Sequence, residues 1–163
     1  MLLPNEALDR ATRLVEQAVK AGADAADAVY ACDASTGVQV RLGALADVVR
    51  SEGEDIGLRV FLGQRSATIS SSSMNPDVLA KLVDRALDMA REAPEDQYAG
   101  LAPVELLAKG PFTDLQSDDG QDPDPQTLRE LAMACEDAAR AVKDVTNSEG
   151  AGASAGRSIF ALA

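Results

Sequence analysis

Few residues in this sequence have the chemistry that catalysis or metal binding requires. Histidine is absent, which removes the commonest metal ligand and the commonest general base in proteins. Serines occupy positions 70 to 73, but no G-x-S-x-G motif surrounds them and no imidazole could activate a hydroxyl. We interpret this run as the polar end of a strand that leads into a helix cap. The sequence therefore predicts no catalytic, cofactor-binding or metal-binding residue on this chain.

One group of acids resembles part of a calcium loop. It consists of Asp118, Asp119, Asp122 and Asp124 around Gly120. The order of ligands in a calcium loop and its closing glutamate are both missing, so we interpret the group as a solvated acidic loop. A self-contained enzyme that uses the carboxylates of residues 114 to 124 is a further, less favoured hypothesis.

A glycine pair near the end of the chain could be taken for a phosphate-binding turn. Gly150 and Gly152 flank an alanine after a short extended segment. The residues that follow, including Ile159 and Phe160, have the rhythm of a strand, so no helix N-terminus would be available to bind an anion. We therefore do not predict a nucleotide site here.

Four arginines fall within the predicted strands and could form a basic stripe on one face of a sheet. They are Arg41, Arg50, Arg59 and Arg65. The simpler interpretation is a sheet face that these side chains keep soluble, and we prefer it.

The elements that position these residues are helices and short strands. Helical periodicity predicts three helices, carried by the following apolar stripes: Leu8, Ala11, Val15, Ala18 and Val19; Leu79, Leu82, Val83, Ala86, Leu87 and Ala90; Leu128, Leu131, Ala132, Cys135, Ala139 and Val142. Asn5 and Asn75 are the expected N-caps, and Asp124-Pro125 is expected to open the third helix. Period-two patterns predict strands over residues 26 to 33, 38 to 42, 46 to 51, 57 to 62 and 65 to 70, with turns at Leu42-Gly43 and Gly63-Gln64.

The last part of the chain adds a terminal pair of extended segments after Asp144. We expect an α+β fold with two layers: a largely antiparallel sheet of about six strands, with the helices packed on one face. Residues 1 to 163 are expected to form a single domain. The closing strand ends in apolar residues, which we interpret as a sign that the chain is the amino-terminal fragment of a longer protein.

Residues 94 to 126 are the most unusual segment in composition. This segment holds eight carboxylates and a single cation, Lys109, so its net charge is -7. Its prolines, turn residues and acids predict a long irregular connection with one short turn at residues 104 to 107.

The totals for the whole chain exclude some classes of function. A formal net charge of -12 opposes sequence-independent binding to a phosphate backbone, so nucleic acid is not an expected direct partner. No apolar run approaches the length of a membrane span. The two cysteines match no metal or redox spacing, so we expect free buried thiols and a cytoplasmic location.

Three segments resemble the amino-terminal region of the TldD/PmbA (TldE) family. They are SEGEDIGLRVFLGQR at 51 to 65, PEDQYAGLA at 94 to 102 and TNSEG at 146 to 150. They occur in the family's order and spacing and, with the intervening helices, cover nearly the whole chain. Each segment has low specificity alone, whereas the set is fairly specific. Residues 56 to 65 are more similar to the PmbA (TldE) type than to the TldD type.

The resemblance implies a subunit of a heterodimeric zinc metalloprotease that degrades unfolded peptides inside a cavity, in a family also labelled "modulator of DNA gyrase". It implies that the zinc belongs to a TldD-type partner subunit, because the family's His-Glu-x-x-x-His helix has no counterpart here. On this hypothesis the domain contributes to the chamber wall and to subunit assembly. The alternative is a free-standing acidic adaptor, unconnected with proteolysis, whose exposed strand edge captures peptides.

Overall fold

Three α-helices and four strands account for most of residues 2 to 163, the part of the chain that the computed structural model describes. In chain order they are α1 (Pro4–Lys20), β1 (Ala25–Arg41), β2 (Ala44–Leu62), β3 (Arg65–Ser71), α2 (Pro76–Glu92), α3 (Pro125–Arg140) and β4 (Ala151–Leu162), with a 3₁₀ turn at Val104–Leu106. The strands form one open antiparallel sheet in the order β3-β2-β1-β4. The α+β prediction is confirmed.

The expected number of about six strands is wrong, because two pairs of predicted strands are continuous. Residues 26 to 33 and 38 to 42 belong to β1, and residues 46 to 51 and 57 to 62 belong to β2. Gly37 and Gly53 lie inside these strands and do not end them. Residues 145 to 148, predicted as extended, form no strand.

Both predicted tight turns are present. Leu42 and Gly43 have φ angles of 53° and 78°, the pair of positive values that a two-residue type I′ hairpin turn requires. Gly63 has a φ of 57° at the β2–β3 turn, and the register there runs from Leu62 opposite Arg65 to Ile56 opposite Ser71. Glycine adopts the positive φ angles at Gly43 and Gly63 without steric cost, so these two residues allowed both turns to be predicted from the sequence.

The chain divides into two compact units. The first comprises residues up to Cys32, Gly53–Thr113 and Ile159–Ala163, and the second comprises Asp33–Glu52 and Asp114–Ser158. Strands β1, β2 and β4 contribute residues to both.

In the first unit, α1 and α2 belong to one apolar cluster with even-numbered side chains of β1 and β2 and with Ala67 and Ile69 of β3. The fully buried residues include Tyr30, Ile56 and Leu58 from the sheet and Leu14 from α1. The α2 stripe is buried as predicted, with Leu79 at its partly buried margin. Of the predicted α1 stripe, Ala11 and Ala18 are buried and Val15 is partly buried, whereas Leu8 and Val19 are exposed. Ala7 and Leu14 complete the buried face of this helix.

The second unit has a smaller core. Val38 and Val40 of β1 pack with Leu128 and Ala132 of α3, and partly buried residues, among them Met133, surround them. Of the predicted α3 stripe, four residues are exposed instead: Leu131, Cys135, Ala139 and Val142. The expectation of two buried thiols is therefore wrong for Cys135 and right for Cys32.

The helix starts agree with the prediction in two of three cases. Asn75 accepts a 2.9 Å hydrogen bond from the Asp77 N–H, and Asp124 accepts one of 2.7 Å from the Thr127 N–H. Helix α1 does not start after Asn5. It begins at Pro4, which is favoured at a first helical position because its missing N–H would have no helical partner.

Within residues 2 to 163, no helix has both the length and the apolar character needed to cross a bilayer.

Candidate functional site

A groove in the first unit runs between α1 and the start of α2. Its volume is about 420 Å³, which lies within the range of small-molecule pockets. Charged side chains of α1 line one side, and Met74, Pro76 and Leu79 line the other. The charged side carries two acids and two bases, so the groove has no single charge preference: Glu6, Asp9, Arg10 and Arg13.

One of these side chains, Arg10, belongs to a hydrogen-bonded network at the edge of the groove. Its guanidinium donates to Glu54 Oε1 at 2.8 Å, and the same oxygen accepts from the hydroxyl of buried Tyr30 at 3.0 Å. Burial, followed by hydrogen bonding with Cys32 and Glu54, raises the pKa of Tyr30 well above its usual range. The phenol therefore stays protonated at neutral pH and acts as a hydrogen-bond donor, not as a base.

A second polar site lies in the second unit and centres on Glu136 of α3. This carboxylate is 1% exposed, and among the described residues it is the only charged group with so little exposure. Its two oxygens accept hydrogen bonds of 2.8 Å from the N–H groups of Leu42 and Gly43. The bond from Gly43 is the main cause that lowers the pKa of Glu136, and burial opposes it. The arrangement fixes the β1–β2 turn to α3.

The serine run is placed where the sequence suggested. Ser71 Oγ donates to the Ser73 carbonyl at 3.2 Å and accepts from the Ser73 N–H at 3.0 Å, between the end of β3 and the cap of α2. These bonds order a turn and leave no activated hydroxyl.

The acids of residues 114 to 124 are used locally. Asp118 pairs with Arg157, which lowers the pKa of that carboxyl, and Asp124 caps α3. Asp114 and Asp119 each accept from the N–H two residues further on, at 2.9 Å. Across residues 2 to 163 there is no group of three or more histidine, cysteine or carboxylate side chains that could hold a metal ion.

The glycine pair lies against β1. A Cβ on Gly150 would come within 2.4 Å of the Val40 carbonyl oxygen, and one on Gly152 within 3.4 Å of the Val38 carbonyl oxygen. These glycines permit the close approach of two backbones and are not followed by a helix that could bind phosphate.

The four arginines do not form an open basic stripe. Arg59 pairs with Asp27 and Arg50 pairs with Glu52. The Arg41 side chain donates to the Ser148 carbonyl at 3.3 Å. Arg65 donates to the carbonyls of Arg91 and Ala93, where it satisfies the last turn of α2.

Sequence reasoning did not identify the groove or the Glu136 site. The position of Glu136 four residues after Ala132, on the buried stripe of α3, was the available signal. A glutamate at a core position is uncommon unless its charge has hydrogen-bond partners, so periodicity alone did not indicate that Glu136 is buried. Its partners are backbone groups of a turn that is distant in the sequence.

A family model describes part of the chain. Residues 26–90 match "PmbA/TldA metallopeptidase domain 1". Among curated proteins, the "Metalloprotease PmbA" of Escherichia coli O157:H7 is 34% identical over 147 residues, which are 85% of this chain and 32% of the relative. The "Metalloprotease PmbA homolog" of Haemophilus influenzae is 33% identical over 138 residues, which are 84% of this chain and 30% of the relative. The chain thus spans about a third of the length of these relatives.

Solved structures agree with the fold. A putative modulator of DNA gyrase from Bacteroides thetaiotaomicron covers 94% of this chain with a TM-score of 0.78 and 21% identity, and this chain corresponds to 35% of it. TldE from Thermococcus kodakarensis gives the same TM-score and coverage of this chain at 14% identity, over 34% of its own length. At such identities the likeness shows the fold alone. The family model over residues 26–90 and the two curated relatives support the assignment of this chain to the amino-terminal region of the TldD/PmbA family.

Proposed function

We propose that this chain is the non-catalytic amino-terminal domain of a PmbA/TldE-type subunit in a heterodimeric zinc metalloprotease that degrades unfolded peptides. In this proposal the domain forms part of the wall of the proteolytic chamber and contributes surface to assembly with a TldD-type subunit.

The observation that carries the proposal is the sequence likeness to two PmbA metalloproteases across more than four fifths of the chain. Both relatives are named metalloproteases and both are of the PmbA type. The segment at residues 56 to 65, which we used to favour that type, lies inside the matched domain. It comprises the end of β2, the Gly63-Gln64 turn and the first residue of β3.

The residues of this domain do not fit a zinc site. Structural and catalytic zinc sites need three or four closely placed nitrogen, sulfur or carboxylate ligands. No such group of ligands occurs among residues 2 to 163. The acids of residues 114 to 124 instead form a helix cap, an ion pair and hydrogen bonds within local turns. The proposal therefore assigns the metal to the partner subunit and derives no chemical step from this chain.

The adaptor hypothesis rests on a different observation, the exposed edge of a strand. The adaptor hypothesis does not explain why the chain is similar in sequence to metalloproteases, so we do not favour this hypothesis.

The test is reconstitution. The full-length protein and the TldD-type subunit from the same organism are purified alone and after co-expression. Each preparation is assayed for cleavage of a denatured, fluorescein-labelled casein, with and without a zinc chelator. We expect chelator-sensitive cleavage from the co-expressed pair and none from the full-length protein alone. The purified 163-residue chain should retain no stoichiometric zinc in elemental analysis.

Two results would contradict the proposal. One is failure of the two full-length proteins to co-purify. The other is chelator-sensitive cleavage by the full-length protein without its partner, which would place the metal site in this subunit.

A further inference from the structure

The first half of β2 is exposed in a way that a folded strand seldom is. Every residue from 44 to 53 is exposed, so neither face of the strand is buried over this length. Strand β3 pairs with β2 only from Ile56 onwards, which leaves the outer edge of residues 44 to 52 without a neighbouring strand. Three large apolar side chains on this edge are about half exposed: Leu45 at 49%, Val48 at 46% and Val49 at 55%.

This edge lacks most of the features that usually prevent strand pairing. Natural edges are commonly protected by charged side chains, above all lysine, by proline, by a bulge or by a covering loop. Residues 44 to 52 contain no lysine, proline or glycine. The cation on the edge, Arg50, is neutralised by an ion pair with Glu52. An edge with three half-exposed apolar side chains and one unpaired charge, that of Asp47, can still pair with another strand.

We propose that residues 44 to 52 of β2 are a docking site for an extended segment of another polypeptide, which pairs with this edge as an additional strand. Unpaired backbone groups require a strand as occupant, because a helix has no free N–H and C=O groups to offer along its length. The inference rests on the geometry of β2 and would stand even if the domain acted outside a protease.

Charge indicates what kind of segment fits. Asp47 forms no ion pair with any described residue, so one carboxylate on the edge is left without a cation. The chain as a whole carries a formal charge of -12, which opposes pairing with a second copy of itself. The expected occupant is therefore an apolar, β-branched segment with a basic residue opposite Asp47.

The hairpin turn indicates which backbone groups are available. In a two-residue turn, the flanking residues Arg41 and Ala44 exchange backbone hydrogen bonds. The N–H and C=O groups of the following residues of β2 then point alternately away from β1 and toward it. The N–H groups of Leu45 and Asp47 consequently point away from β1, toward the free edge. Proline at position 47 would remove one of these donors without removing a bond to β1.

The experiment uses the 163-residue chain and a fluorescein-labelled nonapeptide of alternating valine and threonine with a central lysine. Fluorescence anisotropy measures binding of this probe and of a copy methylated at every backbone nitrogen. We expect methylation to weaken binding by at least about ten-fold, since several hydrogen bonds are lost. Asp47→Pro should have a similar effect. Asp47→Asn keeps the N–H group and should weaken binding by less than about five-fold, the range of an exposed ion pair.

Amide exchange of the wild-type chain provides a second measurement that needs no variant to fold. Saturation with the nonapeptide should slow exchange at Leu45 and Asp47, whereas Thr68 on β3 should be unchanged. The proposal would be overturned if the unmethylated probe did not bind, or if the methylated probe bound equally well. It would also be overturned if the peptide slowed exchange at other amides but not at those of Leu45 and Asp47. A peptide-free dimer in sedimentation equilibrium that Asp47→Pro dissociates would also overturn it, in favour of a second copy as occupant.

Discussion

The carboxylate of Glu136 accepts a 2.8 Å hydrogen bond from the backbone N–H of Gly43, at the tip of the β1–β2 turn. Its other oxygen accepts an equal bond from the neighbouring N–H of Leu42. Two turn amides that would otherwise need water thus have a charged acceptor, and charge-assisted bonds of this kind are stronger than neutral ones. Helix α3 and the hairpin are therefore joined by a polar contact as well as by the small apolar cluster beside it.

The first prediction is that this contact makes stability depend on pH. The pKa of Glu136 is lowered in the folded state, chiefly by the bond from Gly43, so the folded protein favours the charged form. The resulting stabilisation is fully present above the pKa of an unfolded glutamate, about 4.3, and is lost as the pH falls through the lowered folded value. Urea unfolding at pH 7, 5, 4 and 3 should show wild type more stable than Glu136→Gln at neutral pH, with the difference shrinking below about pH 4.

Asp137→Asn is the matched control, because Asp137 is the next residue on α3 and is exposed. It should change the midpoint little at any of these pH values. A deficit of Glu136→Gln that is the same at pH 7 and pH 3 would show that the charge of Glu136 is not what holds the turn.

The α3 stripe shows what periodicity could and could not reveal. The spacing of Leu128 and Ala132 correctly placed one face of the helix on the core. The same periodicity led us to expect Cys135 inside, whereas Glu136 is the buried neighbour. Apolar patterning cannot identify a buried carboxylate whose partners are backbone N–H groups far away in the sequence, because those partners carry no side-chain signal.

The second prediction concerns Gly150. Its φ is 111°, and an added Cβ would lie 2.4 Å from the Val40 carbonyl oxygen, which is backbone and cannot move aside cheaply. Gly150→Ala should therefore reduce the free energy of unfolding by at least about 2 kcal/mol, as expected for backbone strain combined with a clash. Thermal or urea unfolding measures the loss.

Gly100→Ala provides the comparison, since nothing lies within 4 Å of its added Cβ. That change should stay within about 0.5 kcal/mol of wild type. Equal stability of both variants would mean that the end of β1 and the start of β4 are further apart than the structure places them.

Turns and strands differed in how well the sequence predicted them. The turn at Gly63 could be placed because glycine has a local conformational reason to be there. The continuity of β1 through Gly37 could not, because it depends on pairing with a distant strand: Gly37 lies near Ser154 of β4. Local signals mark where a chain turns, whereas strand length is decided by neighbours that the sequence does not reveal.

The third prediction tests the core of the first unit. Leu82 on α2 is 6% exposed within the main apolar cluster, so Leu82→Ala should cost about 2 to 5 kcal/mol in urea unfolding. Leu106→Ala removes the same atoms from a side chain that is 74% exposed and should cost less than about 0.5 kcal/mol. A loss below about 1 kcal/mol for Leu82→Ala would contradict the assignment of α2 to this core.

The fourth prediction is that residues 94 to 126 exchange their amides fastest in the isolated chain and gain protection in the complete assembly. Between α2 and α3 the described backbone forms only the short 3₁₀ turn at Val104–Leu106, so few N–H groups have regular partners. Eight carboxylates with Lys109 as the one cation also repel one another. Yet the segment exposes large apolar side chains: Leu101, Val104, Leu106, Leu107, Phe112 and Leu115.

Solvated connections seldom carry so much apolar surface, which suggests that this part of the chain packs against other structure in the longer protein. Hydrogen–deuterium exchange with mass spectrometry should therefore show rapid labelling of residues 94 to 126 in the 163-residue chain. Labelling of residues 104 to 107 should slow in the full-length protein when it is in complex with the TldD-type subunit that we propose as its partner. Asp96 serves as an internal reference in the isolated chain, because its N–H donates to the Gln64 carbonyl at 2.8 Å and should exchange more slowly than its neighbours. Strong protection of residues 104 to 107 in both samples would mean that the segment is already a fixed part of this domain, and the prediction would then be wrong.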